Sequence, residues 1–333
     1  MLAPLALAAL ASAARAGEWW VDQAANCGLG NGSAGTPYCT VAEAVAVALP
    51  GDTIHVAPGS YPVDLTFWGA TLAFVADQGP AVTSLVATSY RAITLNSACD
   101  VAFTGFTLAP NATVLGAAAA ISDSTAAFTD CVIDGHSAQN GGSGSGGAFY
   151  VSNSAVALDG CTFRGNAAES LGGAIYAQSD AAITAVNCLF DANSAHWGEG
   201  IFLRSAGSTL ALTDCTFTGH IHLPALLSGD LGCALHLEGG TATATGCTFS
   251  GNVAGGAGAA VFVGIPATFS AVDSTFDGNS APRGGAIAAD GIVTLERCSF
   301  TGNTRPPAAP TSAAAARSRT PDTSAPGRWS TAR

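Results

Sequence analysis

The 333-residue chain has no lysine and one methionine, and only 10% of its residues are charged. Its eleven arginines face 23 acids, for a net charge of −12. So few cations cannot neutralise a phosphate backbone, so nucleic acid is excluded as a partner of the folded part. Past residue 16 no apolar run approaches the roughly 20 residues of a membrane-spanning helix, which excludes a transmembrane anchor of that kind. Disorder of the whole chain is excluded as well, because 48% of the residues are hydrophobic.

The scarce cations are also unevenly placed. Arg305, Arg317, Arg319, Arg328 and Arg333 fall in residues 304–333, where Asp322 is the only acid. That Pro-, Ala- and Ser-rich stretch has no apolar period and reads as a disordered tail. At the other end, residues 1–16 form an apolar run ending in Ala14-Arg15-Ala16, the pattern of a cleaved secretory signal. The expected location is therefore outside the cell, secreted or at the cell surface.

Residues 17–50 form a separate N-terminal segment. Cys27 and Cys39 bracket a loop rich in Gly, Ser and Asn, and export makes a disulfide between them the expected pairing. Thr40-Val-Ala-Glu43 has the spacing of a capping box, followed by apolar Val41, Ala44, Val45, Ala48 and Leu49, then Pro50-Gly51 as a stop. A short helix there is placed to cover the open end of the domain that begins at residue 51.

That domain is built on a repeat. Gly160-Cys-Thr-Phe-Arg-Gly-Asn166 returns as Asn187-Cys-Leu-Phe-Asp-Ala-Asn193, Asp214-Cys-Thr-Phe-Thr-Gly-His220, Gly246-Cys-Thr-Phe-Ser-Gly-Asn252, Asp273-Ser-Thr-Phe-Asp-Gly-Asn279 and Arg297-Cys-Ser-Phe-Thr-Gly-Asn303, with a weaker copy at Asp130–His136. The aligned apolar residue recurs after 30, 27, 27, 32, 27 and 24 residues. A second motif runs in phase: Gly146-Gly-Ala-Phe149, Gly172-Gly-Ala-Ile175, Gly232-Cys-Ala-Leu235 and Gly284-Gly-Ala-Ile287. Within each repeat the apolar residues alternate, a strand period. Three short strands per repeat cannot bury a face alone, but stacked copies bury a continuous column. The fold class is all-β, a single parallel β-helix over residues 51–303.

Stacking turns each motif position into a ladder. Phe163, Phe190, Phe217, Phe249, Phe276 and Phe300 point inward, as do Cys131, Cys161, Cys188, Cys215, Cys247 and Cys298, which read as buried thiols more readily than as a disulfide framework. Asn166, Asn193, Asn252, Asn279 and Asn303 form an amide ladder at a turn.

Phe-x-x-Asn in phase with Gly-Gly-Ala-Ile resembles the polymorphic outer-membrane protein repeat, found in surface passenger domains of β-helix type. The Pro50-Gly-Asp-Thr-Ile-His-Val-Ala-Pro-Gly-Ser-Tyr61 opening resembles pectin-lyase-like β-helix proteins. Right-handedness of the coil is implied by these resemblances. So is the functional choice: a structural, adhesive or carbohydrate-binding surface module, with a carbohydrate or a host or cell-surface protein as partner, or a lyase-like polysaccharide enzyme with its site in an outer groove.

The residues favour the first. Lyase chemistry on this fold needs Ca²⁺-binding acids beside an Arg or Lys base, and only Asp134, Arg164 and Asp191 share one outward offset in successive coils. Two other constellations stand out. His196, His220 and His222 lie at or near the irregular 32-residue repeat, and their convergence would suit Zn²⁺ or Cu²⁺. Apart from that Zn²⁺ and the Ca²⁺ of a lyase, no cofactor is implied. Tyr150, Tyr176, Phe202, His236 and Phe262 share one outward offset, an aromatic row suited to sugar rings or to a neighbouring subunit. Outward Thr162, Thr216, Thr248 and Thr275 suggest an ice-ordering row, but Leu189 interrupts it.

Overall fold

A computed structural model describes residues 16–25, 29–111, 116–139, 144–220 and 233–305. Three parallel sheets of eleven, nine and ten strands run the length of the molecule, each strand paired with its equivalent one coil away. The chain visits the sheets in rotation, so every alternating apolar run becomes one wall of a solenoid. Strand Phe149–Ser152 lies in the nine-stranded sheet, Ala155–Asp159 in the eleven-stranded sheet and Thr162–Arg164 in the ten-stranded sheet. The solenoid starts well before the recognisable motif, with strands Asp52–Val56 and Thr71–Ala76 already in register.

The N-terminal end is closed as the capping box predicts. In helix α1 (Val41–Val47), Thr40 Oγ1 accepts from the Glu43 amide at 3.2 Å, and the Glu43 carboxylate accepts from the Thr40 amide at 2.9 Å. Val41 and Ala44 are buried beneath it. The N-terminal segment also supplies something not expected, a strand at Glu18–Val21 that pairs with Asp52–Val56 and covers the edge of the eleven-stranded sheet. Cys39 is disulfide-bonded, while Cys27, its expected partner, lies outside the described residues. At the other end Thr304 still belongs to the coil, its amide bonded to the Asn279 carbonyl at 2.8 Å; the expected tail beyond Arg305 lies outside the described residues.

The ladders form as the spacing predicts, except that Phe300, expected to point inward, is 45% exposed. Ring centroids along Phe163, Phe190, Phe217, Phe249, Phe276 and Phe300 are 4.5–5.0 Å apart with nearly parallel planes. A second stack, Phe74, Phe103 and Phe128, lines the eleven-stranded sheet at 4.9 and 5.3 Å. Asn166 Nδ2 donates to Asn193 Oδ1 at 3.0 Å and to the Ile133 carbonyl at 2.9 Å; Asn252 and Asn279 repeat both bonds, and Asn303 donates to the Phe276 carbonyl. These bonds tie each turn to a strand carbonyl of the coil before it, each worth about 1 kcal/mol net and more if broken in the dry interior.

Candidate binding face

The nine-stranded sheet carries the predicted aromatic row. Tyr150, Tyr176, Phe202, His236 and Phe262 are in register on successive strands, with ring centroids 5.4, 5.9, 4.6 and 4.8 Å apart. They point away from the lumen, yet four of them are closed to solvent: relative exposures are 3% for Tyr176, 1% for Phe202, 4% for His236 and 6% for Phe262. The segment before each strand folds back over the ring below it. Short ladders such as Ser145–Leu171–Trp197 roof the row, and Leu171 packs with Tyr176 and Phe202. The row is thus a second small core. Only Tyr150 is half-exposed.

The tyrosine hydroxyls emerge from that core into a polar array. Tyr176 Oη donates to Gln178 Oε1 at 2.7 Å, Gln178 Nε2 donates to Tyr150 Oη, and Arg204 NH1 reaches Tyr176 Oη at 3.1 Å. The Arg204 guanidinium also lies 3.7 Å from the Glu238 carboxylate. Partial burial pushes the Tyr150 phenol up, while the charges of Arg91 and Arg204 pull it down.

Two residues further along each strand, a row is partly open: its end members Trp68 and Arg204 are exposed and those between them half-exposed. Trp68, Asn96, Ser122, Ser152 and Gln178 are in register on five consecutive strands, and Arg204 follows Leu203 on the next. Trp68 is 70% exposed, and nearby in the chain Tyr90 is 72% exposed. Sequence reading misses this row because Trp68 precedes the motif and its polar members look like ordinary turn flanks. The available signal is phase: Ser122, Ser152 and Gln178 each lie two residues after an aligned position of the aromatic row.

His220, one member of the expected histidine cluster, is not at the surface. His220 is fully buried, with Nδ1 2.9 Å from Asn252 Oδ1 and Nε2 3.4 Å from Asn193 Nδ2, so both ring nitrogens are engaged. It occupies the asparagine position of its own repeat and continues the amide ladder. That burial pushes its pKa down to about 4. His196 is half-buried, and His222 lies outside the described residues. Among the described residues no three His, Cys, Asp or Glu side chains converge as a metal site.

Arg164 binds Asp134 of the preceding coil at 2.6 Å, an exposed ion pair of small energetic weight. Asp100, Asp123, Asn153 and Asp180 line a shallow recess between two sheets, where Asn153 Nδ2 donates to Asp123 Oδ1 at 2.7 Å. Glu199 and Cys233 stand where other coils have the second glycine of Gly-Gly-Ala, and both are buried. Burial first, then the Glu199 charge, holds the Cys233 thiol well above its ordinary pKa.

Three parallel sheets with interior phenylalanine and asparagine ladders define a parallel β-solenoid. The sequence matches the right-handed β-helix region over residues 89–279, and the chain belongs to that family. Residues 273–290, which hold one Phe-x-x-Asn and one Gly-Gly-Ala-Ile, match the Chlamydia polymorphic membrane protein repeat. Among solved structures, pectate lyase Pel9A is similar with a TM-score of 0.50 and 13% identity, over 84% of this chain and 78% of that one. A pectin methylesterase in complex with a hexasaccharide aligns with a TM-score of 0.49 and 12% identity, over 87% of this chain and 91% of its own. Pectin methylesterase PemA from Erwinia chrysanthemi aligns at 0.42 and 12%, over 87% and 91%. At 13% identity the likeness to Pel9A shows the fold alone. The search of curated proteins finds no match. No helix among the described residues is long and apolar enough to cross a membrane.

Proposed function

We propose that the protein is an exported surface module that binds an extended carbohydrate along the outer face of the nine-stranded sheet. The observation that carries this reading is the partly open row Trp68, Asn96, Ser122, Ser152, Gln178 and Arg204. An indole, two amides, two hydroxyls and a guanidinium are presented one per coil, about 4.8 Å apart. A linear polymer of hydroxylated rings meets hydrogen-bonding groups at each step and an exposed aromatic face at the end. Export rests on the signal-like run at residues 1–16 and on the polymorphic membrane protein repeat.

Affinity electrophoresis and a glycan array test it. Trp68→Ala and Gln178→Ala should each weaken binding at least tenfold, while Thr243→Ala on the eleven-stranded sheet should not. Absence of any bound glycan, or equal binding by Trp68→Ala, refutes the assignment. Release of reducing or unsaturated ends from the same polysaccharides would instead identify an enzyme.

A further inference from the structure

The two ends of the solenoid are finished differently. At the N-terminal end the outer edge of strand Glu18–Val21 is used by its own chain: the Trp20 amide donates to the Gly32 carbonyl at 2.9 Å, and the Tyr38 amide donates to the Trp20 carbonyl at 2.8 Å. At the C-terminal end strand Ile292–Glu296 is the last of the eleven-stranded sheet, and among the described residues no strand pairs with its far side. The Ile292 amide donates back to the Ala267 carbonyl at 3.0 Å. Successive residues of a parallel strand face opposite neighbours, so the N–H and C=O groups of Val293 and Leu295 point to the open side. Their side chains follow Phe269 and Ala271 in register, into the lumen. Leu295 is 42% exposed, as Phe300 is, whereas Ala271 and Phe276 one coil earlier are closed. The middle of the strand, Val293-Thr-Leu295, carries no charge and no proline, the devices that keep an open edge from pairing.

We infer that this end is an interface with a second copy of the chain, a two-fold dimer in which the two Ile292–Glu296 strands pair antiparallel about Thr294. With the axis at Thr294, Val293 of one copy lies opposite Leu295 of the other. These are the residues whose N–H and C=O groups face outward, so each such pair exchanges both of its hydrogen bonds, and Thr294 meets Thr294 as a non-hydrogen-bonded pair. The lumen-facing side chains of the last coil then meet those of the second copy. The contact uses one patch twice and closes on itself. Head-to-tail stacking has no such edge to use, because the bonds to Gly32 and Tyr38 occupy it at the other end. The sequence after Arg305 opens with Pro306-Pro307, which lack amide donors, and continues without the apolar alternation of a further strand. The last coil, 24 residues by the spacing of Phe276 and Phe300, matches the roughly 20–30 residues a side of a standard stable interface.

Sedimentation velocity of the full chain over a dilution series tests the dimer. Wild type should sediment as a dimer that dissociates on dilution. Leu295→Arg, which puts a charge into the seam, should raise the dissociation midpoint at least tenfold with its circular dichroism unchanged. Cysteine cross-linking tests the register. Opposed non-hydrogen-bonded residues have Cα atoms about 4.5 Å apart, within disulfide reach, so Thr294→Cys should give a covalent dimer on mild oxidation. Ile292→Cys, opposite Glu296 of the second copy, should give no more than the wild-type background. The inference is overturned by a monomer at every concentration, by a dimer that Leu295→Arg leaves unchanged, or by equal cross-linking of Ile292→Cys and Thr294→Cys. Hydrogen exchange at the Val293 and Leu295 amides then identifies what is there instead: protected amides in a monomer point to residues 306–333 as the cover, and freely exchanging amides to a bare edge, either of which overturns the inference.

Discussion

Replacing His220 with asparagine should make the protein markedly more resistant to mild acid. In the folded chain this imidazole is buried between Asn193 and Asn252, and burial lowers its pKa to about 4, with the Asn252 hydrogen bond opposing. In the unfolded chain a histidine titrates near 6.5. Between those values the unfolded chain binds a proton that the folded protein refuses. Stability therefore falls as pH drops from 6.5 towards 4, then levels off, with a total loss of about 3 kcal/mol from this one ring. At pH 5 the loss has reached about 2 kcal/mol by the same relation. Asparagine at 220 restores the amide found in the flanking coils and removes the titration. Urea unfolding followed by tryptophan fluorescence, run on both proteins at pH 7.5 and 5.0, isolates the effect, since His136 and the carboxylates titrate in both and cancel. The stability gap should widen in favour of His220→Asn by about 2 kcal/mol between the two pH values. A gap that stays constant would refute the buried, neutral imidazole.

Backbone and surface geometry lead to three further expected outcomes. Ala192 holds a left-handed φ of 50° where Gly165, Gly219 and Gly251 stand in other coils, so Ala192→Gly should raise unfolding stability by about 1 kcal/mol in the same urea assay. Gly173→Ala would put its Cβ 2.2 Å from the Glu199 carbonyl oxygen, whereas at Gly251 nothing lies within 4 Å. Thermal melts should show a several-fold larger loss for Gly173→Ala than for Gly251→Ala, which carries only the positive-φ penalty. Arg164→Ala removes an exposed pair and should leave the melting temperature unchanged within error, at low and high salt alike.

The fold is legible because the repeat carries its own register: once Phe163 and Phe190 align, so do Cys161 with Cys188 and Asn166 with Asn193. The capping helix is legible from Thr40 and Glu43 alone. The coils over residues 52–110 are harder to read, since they keep the alternation but not the motif. The aromatic row escapes sequence reading for a geometric reason. Alternation tells which side of a strand a residue takes, lumen or outside, and Phe202 is indeed outside. It does not tell whether a later turn returns to cover that outside, which is what the Gly-Gly segments do. His220 escapes it for a different one. Its neighbours in sequence draw it into the inserted loop, although the last position of its own repeat, asparagine in five other copies, already marks it as a ladder residue.

The stacking of paired coils has a mechanical consequence. The inter-strand hydrogen bonds all run along the solenoid axis, so tension between the two ends loads one coil boundary after another in series. Such a rod should fail ring by ring and not all at once. A 27-residue ring, the commonest spacing of the aligned apolar residue, frees roughly 90 Å of slack when it opens. A chain of this design held at one end and pulled at the other would behave as a shock absorber, giving way in equal steps and leaving the unopened rings intact.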